Sequence, residues 1–479
     1  MSASWLEELA ELLKTPPSRL LAIGLDETVV ERLGATSAVA VETWPQPVID
    51  GAAGDRSEGD RSEGDRSEGD RSEVDTAGFD RVVWRADEAP SVNSAGTLAL
   101  LCGERCRGYL VLPKRARRQA ILNLSAAGLA VHDEAEGSGT ANGEWVIIVF
   151  RPTDFVIRSY EPGDEDDILK MFKPSFHVER SAAHWRWKFE KQPFGSHAIT
   201  VARSSDGELA AHYAGYPVPF ERFESRNRSR SFVGLQIGDT MTLPKFRSIG
   251  RGPTSLLGRA ARHFYAAYCE DNVAFNFGFN TGNIQRFSRR FVRAHLVEKV
   301  GYWVRPDGLP PESGRAYKIQ KVRQLDPSWD RFYCRVGPAY GLLVRRDSRW
   351  LRWRYLECPD TPAFLVLAAR RWRRLVGWSV FRRHGDTLRW CDALFDPKHV
   401  ESAWPLLREA LQAPEMDGVA RVEAWFPPRP EWWRRELVAL GFEPAAQPDD
   451  LAVMTVPFKE ASDALLLDWY YTMGDGDLA

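Results

Sequence analysis

The chain has 479 residues, 44% of them hydrophobic, and this length is enough for two to four separately packed domains. Its 64 basic and 66 acidic side chains nearly cancel, which leaves a formal net charge of −2. That balance excludes a global electrostatic attraction to nucleic acid, and arginine-rich stretches such as RNRSR and RRWRR are interpreted as solvated faces. We therefore predict no nucleic-acid partner.

Cysteine usage and hydropathy indicate where the protein works. The six cysteines are scattered, and the closest pair, Cys102 and Cys106, has no second pair or histidine at zinc-finger spacing. This pattern predicts free thiols in a reducing compartment and no metal site. The first residues lack a basic start followed by an apolar segment, and no run reaches about eighteen apolar residues. We expect a cytoplasmic protein without a membrane partner.

The first region, residues 1–152, has the pattern of a small α/β domain. Ser4 and Glu7 have the spacing of a capping box, and a helix is predicted after them. Strands are predicted in RLLAIGL, FDRVVW, GTLALLC and EWVIIVF, and a helix in RARRQAILNLSAAGL. This order resembles a shortened class I methyltransferase-type Rossmann domain. Because AIGLDETVV lacks G-x-G-x-G, we expect a structural domain rather than a methyl-donor site.

A perfect repeat interrupts this first region. Residues 54–73 are four copies of the pentapeptide GDRSE. Each copy has no apolar side chain to bury and carries a net negative charge, so a disordered insertion is predicted.

The pattern changes from Asp154 onwards. DFVIRSY predicts a strand, GDEDDILKMFKPSF a helix with an acidic first turn, and SAAHWRWKFEKQPFG a further aromatic helix. Two alternating runs around Asp206 and Gly207 predict a hairpin. The strand SFVGLQIGDTMTL follows, then a glycine-bearing turn, the helix SLLGRAARHFYAAY and the strand NVAFNFGFN. The predicted order is therefore strand, helices, three strands, helix, strand.

The glycine turn LPKFRSIGRGP has the composition of an anion-binding turn. Gly250 and Gly252 allow backbone amides to approach a phosphate without an obstructing Cβ. Pro253 suits the first helical position, where its missing N–H costs nothing. Arg247 and Arg251 add positive charge. We predict that the turn binds a pyrophosphate.

The segment MTLPKFRSIGRG resembles the V-x-P-x-[YF]-R-x-x-G-x-G/A motif of the GCN5-related N-acetyltransferase superfamily. Arg247, Gly250 and Gly252 match its required positions, and Pro244 and Phe246 match its supporting ones. The resemblance implies that the co-substrate is acetyl-CoA or another acyl-CoA. The cofactor-binding residues that it implies are Met241, Thr242, Leu243, Arg247, Ser248, Ile249, Gly250, Arg251, Gly252, Pro253 and Asn280.

The catalytic residues are less clearly marked. The family's acid tyrosine is expected seven residues after Asn280, but position 287 is phenylalanine, so Tyr302 is the candidate acid. Asp239, in the strand before the turn, is the candidate base, and a structural aspartate is an equally good interpretation. His212 is a second candidate base or a hydrogen-bonded strand histidine. The predicted substrate-binding residues are His212, Tyr213 and Tyr216.

A second acetyltransferase-like repeat is predicted after a proline- and glycine-rich linker. It repeats the tryptophan-arginine stretch and the order of elements, but FDPKHVESAW carries no R-x-x-G-x-G. The fold class is thus α/β, with two tandem domains of the α+β acetyltransferase fold after a small Rossmann-like domain, similar to tandem bacterial acetyltransferases. The predicted domains are 1–152 with the insert 54–73, a first repeat at 153–305, a linker at 306–315, a second repeat at 316–458 and a tail at 459–479.

The resemblance implies an acyl-CoA-dependent N-acyltransferase whose acceptor is a small or medium-sized amine, such as an amino sugar or amino-acid derivative. Two alternatives remain. Peptidyl transfer from aminoacyl-tRNA also uses paired acetyltransferase-like domains, but such enzymes need no phosphate-binding turn. A CoA-sensing or scaffolding protein would account for the missing tyrosine. The sequence does not define the oligomeric state.

Overall fold

The structure is a computed structural model that describes residues 20–23, 25, 41–44, 79–139, 143–225, 228–306, 308–312, 314, 316–360, 363–459 and 468–476. The helix predicted after Ser4 and the repeat at 54–73 lie outside these residues. The described chain contains both strands and helices along its whole length, which confirms the predicted α/β class. Within the described part, no helix combines the length and hydropathy needed to cross a membrane.

The chain forms strands of very different lengths. They are β1 (Leu20–Ile23), β2 (Val41–Trp44), β3 (Phe79–Arg85), β4 (Cys102–Pro113), β5 (Leu129–Gly139), β6 (Gly143–Pro152), β7 (Phe155–Ser159), β8 (Ala198–Ser204), β9 (Leu209–Ser225), β10 (Arg228–Thr242), β11 (Phe275–Asn280), β12 (His295–Lys299), β13 (Tyr302–Pro306), β14 (Lys318–Lys321), β15 (Leu342–Val344), β16 (Leu365–Arg371), β17 (Arg374–His384), β18 (Thr387–Phe395), β19 (Arg421–Trp425), β20 (Glu443–Ala445), β21 (Ala452–Pro457) and β22 (Trp469–Tyr470).

The helices are short. The α-helices are α1 (Val92–Leu101), α2 (Arg117–Ala126), α3 (Asp164–Phe176), α4 (Ala182–Trp185), α5 (Leu256–Phe264), α6 (Gly282–Phe291), α7 (Ser328–Val336), α8 (Ser348–Leu351), α9 (Ala403–Leu411) and α10 (Glu431–Ala439). Three of them, α4, α5 and α8, continue directly into a π-helical turn, and these turns are Arg186–Glu190, Tyr265–Cys269 and Arg352–Leu356.

One predicted strand is wrong. GTLALLC was expected to be extended, but its residues up to Leu101 lie in helix α1. A short apolar run does not distinguish a buried strand from a buried helix. The local capping decides here, because Ser91 accepts a hydrogen bond from the amide of Ser94 at 3.0 Å and so begins a helix.

By its internal contacts the chain divides into two compact units. The first unit comprises residues 1–164, 200–212 and 241–267, and the second comprises 165–199, 213–240 and 268–479. The domain boundaries expected from the sequence, at 152, 305 and 458, remain predictions.

The first unit contains a six-stranded sheet of order β2-β1-β3-β4-β6-β5. The pairs from β2 to β4 are parallel, and the pairs of β6 with β4 and β5 are antiparallel. The strand order reverses at β1, as in doubly wound sheets. Helices α1 and α2 cover it through buried residues such as Leu98 and Leu124. This unit also holds the antiparallel pair of β7 with β8.

The second unit contains two sheets that exchange strands. One has the order β12-β21-β11-β10-β9-β15-β22, and the other the order β14-β16-β17-β18-β19-β13-β20. β13 follows β12 at the end of the first repeat, yet it pairs with β19 and β20 of the second. β21 comes last in the second repeat, yet it pairs with β11 and β12 of the first. Each repeat therefore completes the sheet of the other.

Candidate functional site

The glycine turn lies in the first unit, between the end of β10 and the beginning of α5. Gly250 has a φ of +67° and Gly252 a φ of +57°, which side chains with a Cβ rarely adopt. A Cβ added at Gly250 would lie 2.2 Å from the carbonyl oxygen of Thr254, so the turn has no room for it. Ser255 then caps α5 by accepting a hydrogen bond from the amide of Gly258 at 3.1 Å. The predicted turn and helix are confirmed.

Hydrophobic packing on the buried side of the turn holds the turn in place. Phe246 and Ile249 pack against a buried cluster that includes Phe155 and Leu256, and the rings of Phe155 and Phe246 meet edge to face at 5.6 Å. The amide of Leu243 donates to the carbonyl of Ala210 at 3.0 Å. The backbone is therefore fixed before any ligand arrives, which limits the entropy lost on binding.

The exposed side of the turn carries positive charge. Arg247 and Arg251 are both exposed, and the Nε of Arg247 donates to the carbonyl of Thr242 at 3.1 Å. Exposed guanidinium groups, glycines in the left-handed region and a helix N-terminus are together suited to a pyrophosphate. The residues present thus fit the CoA moiety that the motif implies. The buried side chain of Met241, 2% exposed, leaves only its main chain for that role.

Asp239 lies in the second unit, two residues before Met241 in β10. Its φ of +51° is unusual for a residue other than glycine, and such strain is frequent at functional sites. Its Oδ2 accepts a hydrogen bond from the Nζ of Lys188 at 2.7 Å, and its Oδ1 lies 3.5 Å from an amino group of Arg180. The Lys188 side chain is 1% exposed. The candidate base is therefore part of a buried ion pair that sequence reasoning missed.

Arg180 connects this pair to a second one. Its other amino group lies 3.1 Å from Nε2 of His184, whose Nδ1 lies 2.6 Å from Asp360. Burial alone would raise the pKa of Asp360, but the hydrogen bond with His184 holds this pKa below its usual value. Asp360 also lies 3.7 Å from Arg382. The charges near Asp239 thus alternate in sign and come from both repeats.

The remaining predicted residues lie at several places. His212, in the first unit, is fully buried; Tyr213 and Tyr216, in the second, are also buried, and Tyr216 donates to Gln236. Asn280, at the end of β11, donates to the hydroxyl of Ser288 at 3.2 Å. Their assigned roles remain predictions.

Tyr302, the candidate acid, lies in β13 of the sheet that contains β18 and β19, whereas Asp239 lies in β10. Burial and then a hydrogen bond with Glu423 raise the pKa of Tyr302 above its usual value. The acid role of Tyr302 remains a prediction.

Asp239, Lys188 and Arg180 form a group that we call the Asp239 cluster, and the second repeat carries a counterpart of it. The stretch RSAAHWRWKF, beginning at Arg180, corresponds residue by residue to RDSRWLRWRY, beginning at Arg346, and each forms a short helix followed by a π turn. Likewise DTMTLPKF, from Asp239, corresponds to DALFDPKH, from Asp392. Arg346 donates to Asp392 at 2.9 Å, as Arg180 faces Asp239. The paired arginine and aspartate can be recognised in the sequence only when the stretches of the two repeats are aligned with each other.

No family model and no curated protein matches this chain. It is similar to a solved structure of a probable N-acyltransferase from Enterococcus faecalis V583, with a TM-score of 0.46, 10% identity and coverage of 65% of this chain and 74% of that one. A GCN5-related N-acetyltransferase from Anabaena variabilis has a TM-score of 0.46 and 13% identity, with coverage of 63% of this chain and 72% of that one. A tandem protein of this superfamily from the clavulanic acid biosynthesis pathway has a TM-score of 0.40 and 13% identity, with coverage of 64% of this chain and 99% of that one. The chain is thus similar to structures of the superfamily that its glycine-turn motif resembles.

Proposed function

We propose that the protein is an acyl-CoA-dependent N-acyltransferase that acts on a small or medium-sized amine, such as an amino sugar or amino-acid derivative. The observation that carries this proposal is the Gly250–Gly252 turn, which leads into a capped helix and carries two exposed arginines. A turn that only reversed the chain would not need two left-handed glycines beside two exposed cations. The main-chain groups of Met241 to Leu243 would hold the pantetheine and the acyl carbonyl.

The chain's own contribution to the chemistry would be removal of a proton and stabilisation of charge. In this proposal Asp239, directly or through a water molecule, takes a proton from the ammonium form of the acceptor. The freed nitrogen then forms a bond to the acyl carbon and the carbon–sulfur bond breaks. The nitrogen loses its second proton, and the departing thiolate gains one, so that an amide and free CoA result. Main-chain N–H groups would stabilise the oxyanion that develops in this step.

A CoA-binding scaffold is the second candidate, and one observation favours it. Asp239 already binds Lys188 in a buried pair, which is the arrangement of a structural aspartate. A transferase and a scaffold would both bind CoA, so CoA binding alone does not distinguish the two candidate functions.

The test has two parts. Titration calorimetry should show acetyl-CoA binding, and S-adenosylmethionine should give no signal. Thiol release should then be followed with acetyl-CoA and a panel of amino sugars, amino acids and polyamines. Release that depends on an amine establishes the transferase, whereas binding without such release supports the scaffold. Failure of acetyl-CoA to bind would remove both candidates.

A further inference from the structure

The Asp239 cluster of the first repeat and its counterpart in the second repeat differ in what covers them. In the second repeat, Arg346 and Asp392 are both completely buried. The cover is the segment 468–476 near the end of the chain, whose strand β22 pairs in parallel with β15. The surroundings of Arg346 beneath this segment can therefore be compared with those of Arg180 in the first repeat.

The covering segment is bound through its acidic side chain and its carbonyl groups. Arg346 donates to Oδ2 of Asp475 at 2.7 Å and to the hydroxyl of Thr472 at 3.1 Å. Arg354 donates through Nε to the carbonyl of Gly474 at 2.9 Å, and through an amino group to that of Gly476 at 2.8 Å. The second repeat thus binds a peptide of its own chain, with a carboxylate held by the arginine that also binds Asp392.

The fit around this peptide is close. A Cβ at Gly474 would meet the hydroxyl oxygen of Tyr355, which donates to Asp392 at 2.6 Å. A side chain at position 474 would therefore break the contact between the segment and the cluster.

Within the part of the chain that the structure describes, the first repeat has the same arginine without such a cover. The side chain of Arg180 is 24% exposed, whereas that of Arg346 is 0% exposed. Among the described residues, Arg180 contacts the carboxylate of Asp239, the imidazole of His184 and the ring of Phe172, and its buried Nε has no acceptor. Its charge also helps to lower the pKa of Asp360, which it does not contact directly. Arg346, by comparison, binds two carboxylates, those of Asp392 and Asp475. The guanidinium of Arg180 thus has capacity for a second carboxylate.

We propose that Arg180 binds a carboxylate of the acceptor, in the place where Arg346 binds Asp475, so that the substrate is an amine that carries an acidic group. This inference rests on the proposed acyltransferase function and narrows its acceptor to amino acids or acidic peptides. A carboxylate on Arg180 lies next to Asp239, because both bind the same guanidinium. The amino group of the acceptor is then held close to Asp239, the proposed base.

The first experiment compares acids with their amides as acceptors. The pairs are glycine and glycinamide, L-alanine and L-alaninamide, and the tripeptide amides Gly-Asp-Gly and Gly-Asn-Gly, each with acetyl-CoA and with thiol release as the readout. We expect each acid to exceed its amide by at least about tenfold in kcat/KM, because a charge-assisted hydrogen bond is lost in the amide. Equal use of acids and amides would overturn the inference and leave the acyltransferase standing.

The second experiment places the preference on Arg180. Arg180→Gln should abolish this preference and leave the affinity for acetyl-CoA unchanged, whereas Arg186→Gln, at an exposed position in the π turn that follows helix α4, should retain it. Should Arg180→Gln unfold, Arg180→Lys keeps the charge and loses the planar fork, so the ratio of kcat/KM for each acid to that for its amide should fall. A preference that survives in a folded Arg180 variant would refute the assignment.

Binding of the acids is measured without turnover by ligand-observed NMR. Glycine and the Gly-Asp-Gly amide should bind wild-type protein and lose binding in the Arg180 variants. This result would support the carboxylate site even if no amine were acetylated, in which case the acyltransferase proposal alone would fail. Absence of binding to the wild type by all the acids at millimolar concentration would overturn the inference.

Discussion

Trp187 and Trp353 donate hydrogen bonds to each other's backbone. The Nε1 of Trp187 lies 2.7 Å from the carbonyl oxygen of Trp353, and the Nε1 of Trp353 lies 3.0 Å from that of Trp187. Their rings stack with centroids 5.1 Å apart at an angle of 20°. The two residues occupy corresponding places in the π turns of the two repeats, so the contact between these two turns is reciprocal.

Breaking one of these hydrogen bonds should destabilise the protein measurably. Trp187→Phe leaves the buried carbonyl of Trp353 without its donor, at a cost of about 1–3 kcal/mol in the free energy of unfolding. Trp353→Phe should cost a similar amount, and the double variant should cost less than the sum, because the two changes share one stacked pair. Denaturant unfolding measures all three. Trp372→Phe, at an 89% exposed position, is the matched control and should change stability by less than about 0.5 kcal/mol.

Gly250→Ala should weaken acetyl-CoA binding by at least about tenfold. The new Cβ would lie 2.2 Å from the carbonyl oxygen of Thr254, and the positive φ would be strained, so the amides of the turn would move. Gly252→Val should have the same effect at its own left-handed position. Calorimetry with acetyl-CoA is the measurement. Gly207→Ala is the control, since this hairpin glycine also has a positive φ, with no atom within 4 Å of an added Cβ; unchanged affinity at position 250 would mean that the turn only reverses the chain.

Asp239→Asn tests whether the candidate base is also a structural residue. The change leaves the charge of the buried Lys188 without its partner, so we expect the free energy of unfolding to fall by about 3–5 kcal/mol. Adding Lys188→Met should restore much of this stability, because the uncompensated charge is removed. If Asp239 is the base, the folded double variant should still turn over about a hundredfold more slowly than wild type, with acetyl-CoA affinity retained. A double variant with normal turnover would exclude the base role.

The pH dependence of the free energy of unfolding should reveal the raised pKa of the Asp475 carboxyl. Burial raises the pKa of Asp475 from 3.8 to about 6, although Arg346 acts in the opposite direction. Since the folded state binds this proton more tightly, the stabilisation is fully present below pH 3.8 and is lost as the pH rises to about 6. Wild-type protein should therefore gain roughly 3 kcal/mol relative to Asp475→Asn when the pH falls from 7 to 4. Parallel unfolding curves for the two proteins across this window would contradict the assignment.

Deletion of residues 54–73 should leave the melting temperature and acetyl-CoA binding unchanged. The four GDRSE copies contain no apolar side chain, so their removal takes nothing from a hydrophobic core. Thermal unfolding followed by circular dichroism checks this, and a lowered melting temperature would show that the repeat contributes to packing.

Several features of the candidate site could be read from short stretches of sequence. The glycine turn, its proline and the helix after it depend on neighbours within a few residues, and so does the hairpin at Asp206 and Gly207. The duplication was visible because the tryptophan-arginine stretch recurs. GTLALLC was misread as a strand because a short apolar run fits both kinds of buried element, and the cap at Ser91 decided between them.

The sequence by itself determined the α/β class, the tandem repeat and the conformation of the glycine turn, because each depends on local propensity or on recurrence along the chain. Only the tertiary structure decided which groups meet. Lys188 pairs with Asp239 across 51 positions, and Arg346 binds Asp475 across 129. The exchange of β13 and β21 between sheets is of the same kind. Strand pairing and buried charge pairing are selected by the fold as a whole, since any strand edge or carboxylate has many partners in sequence and only a few in space.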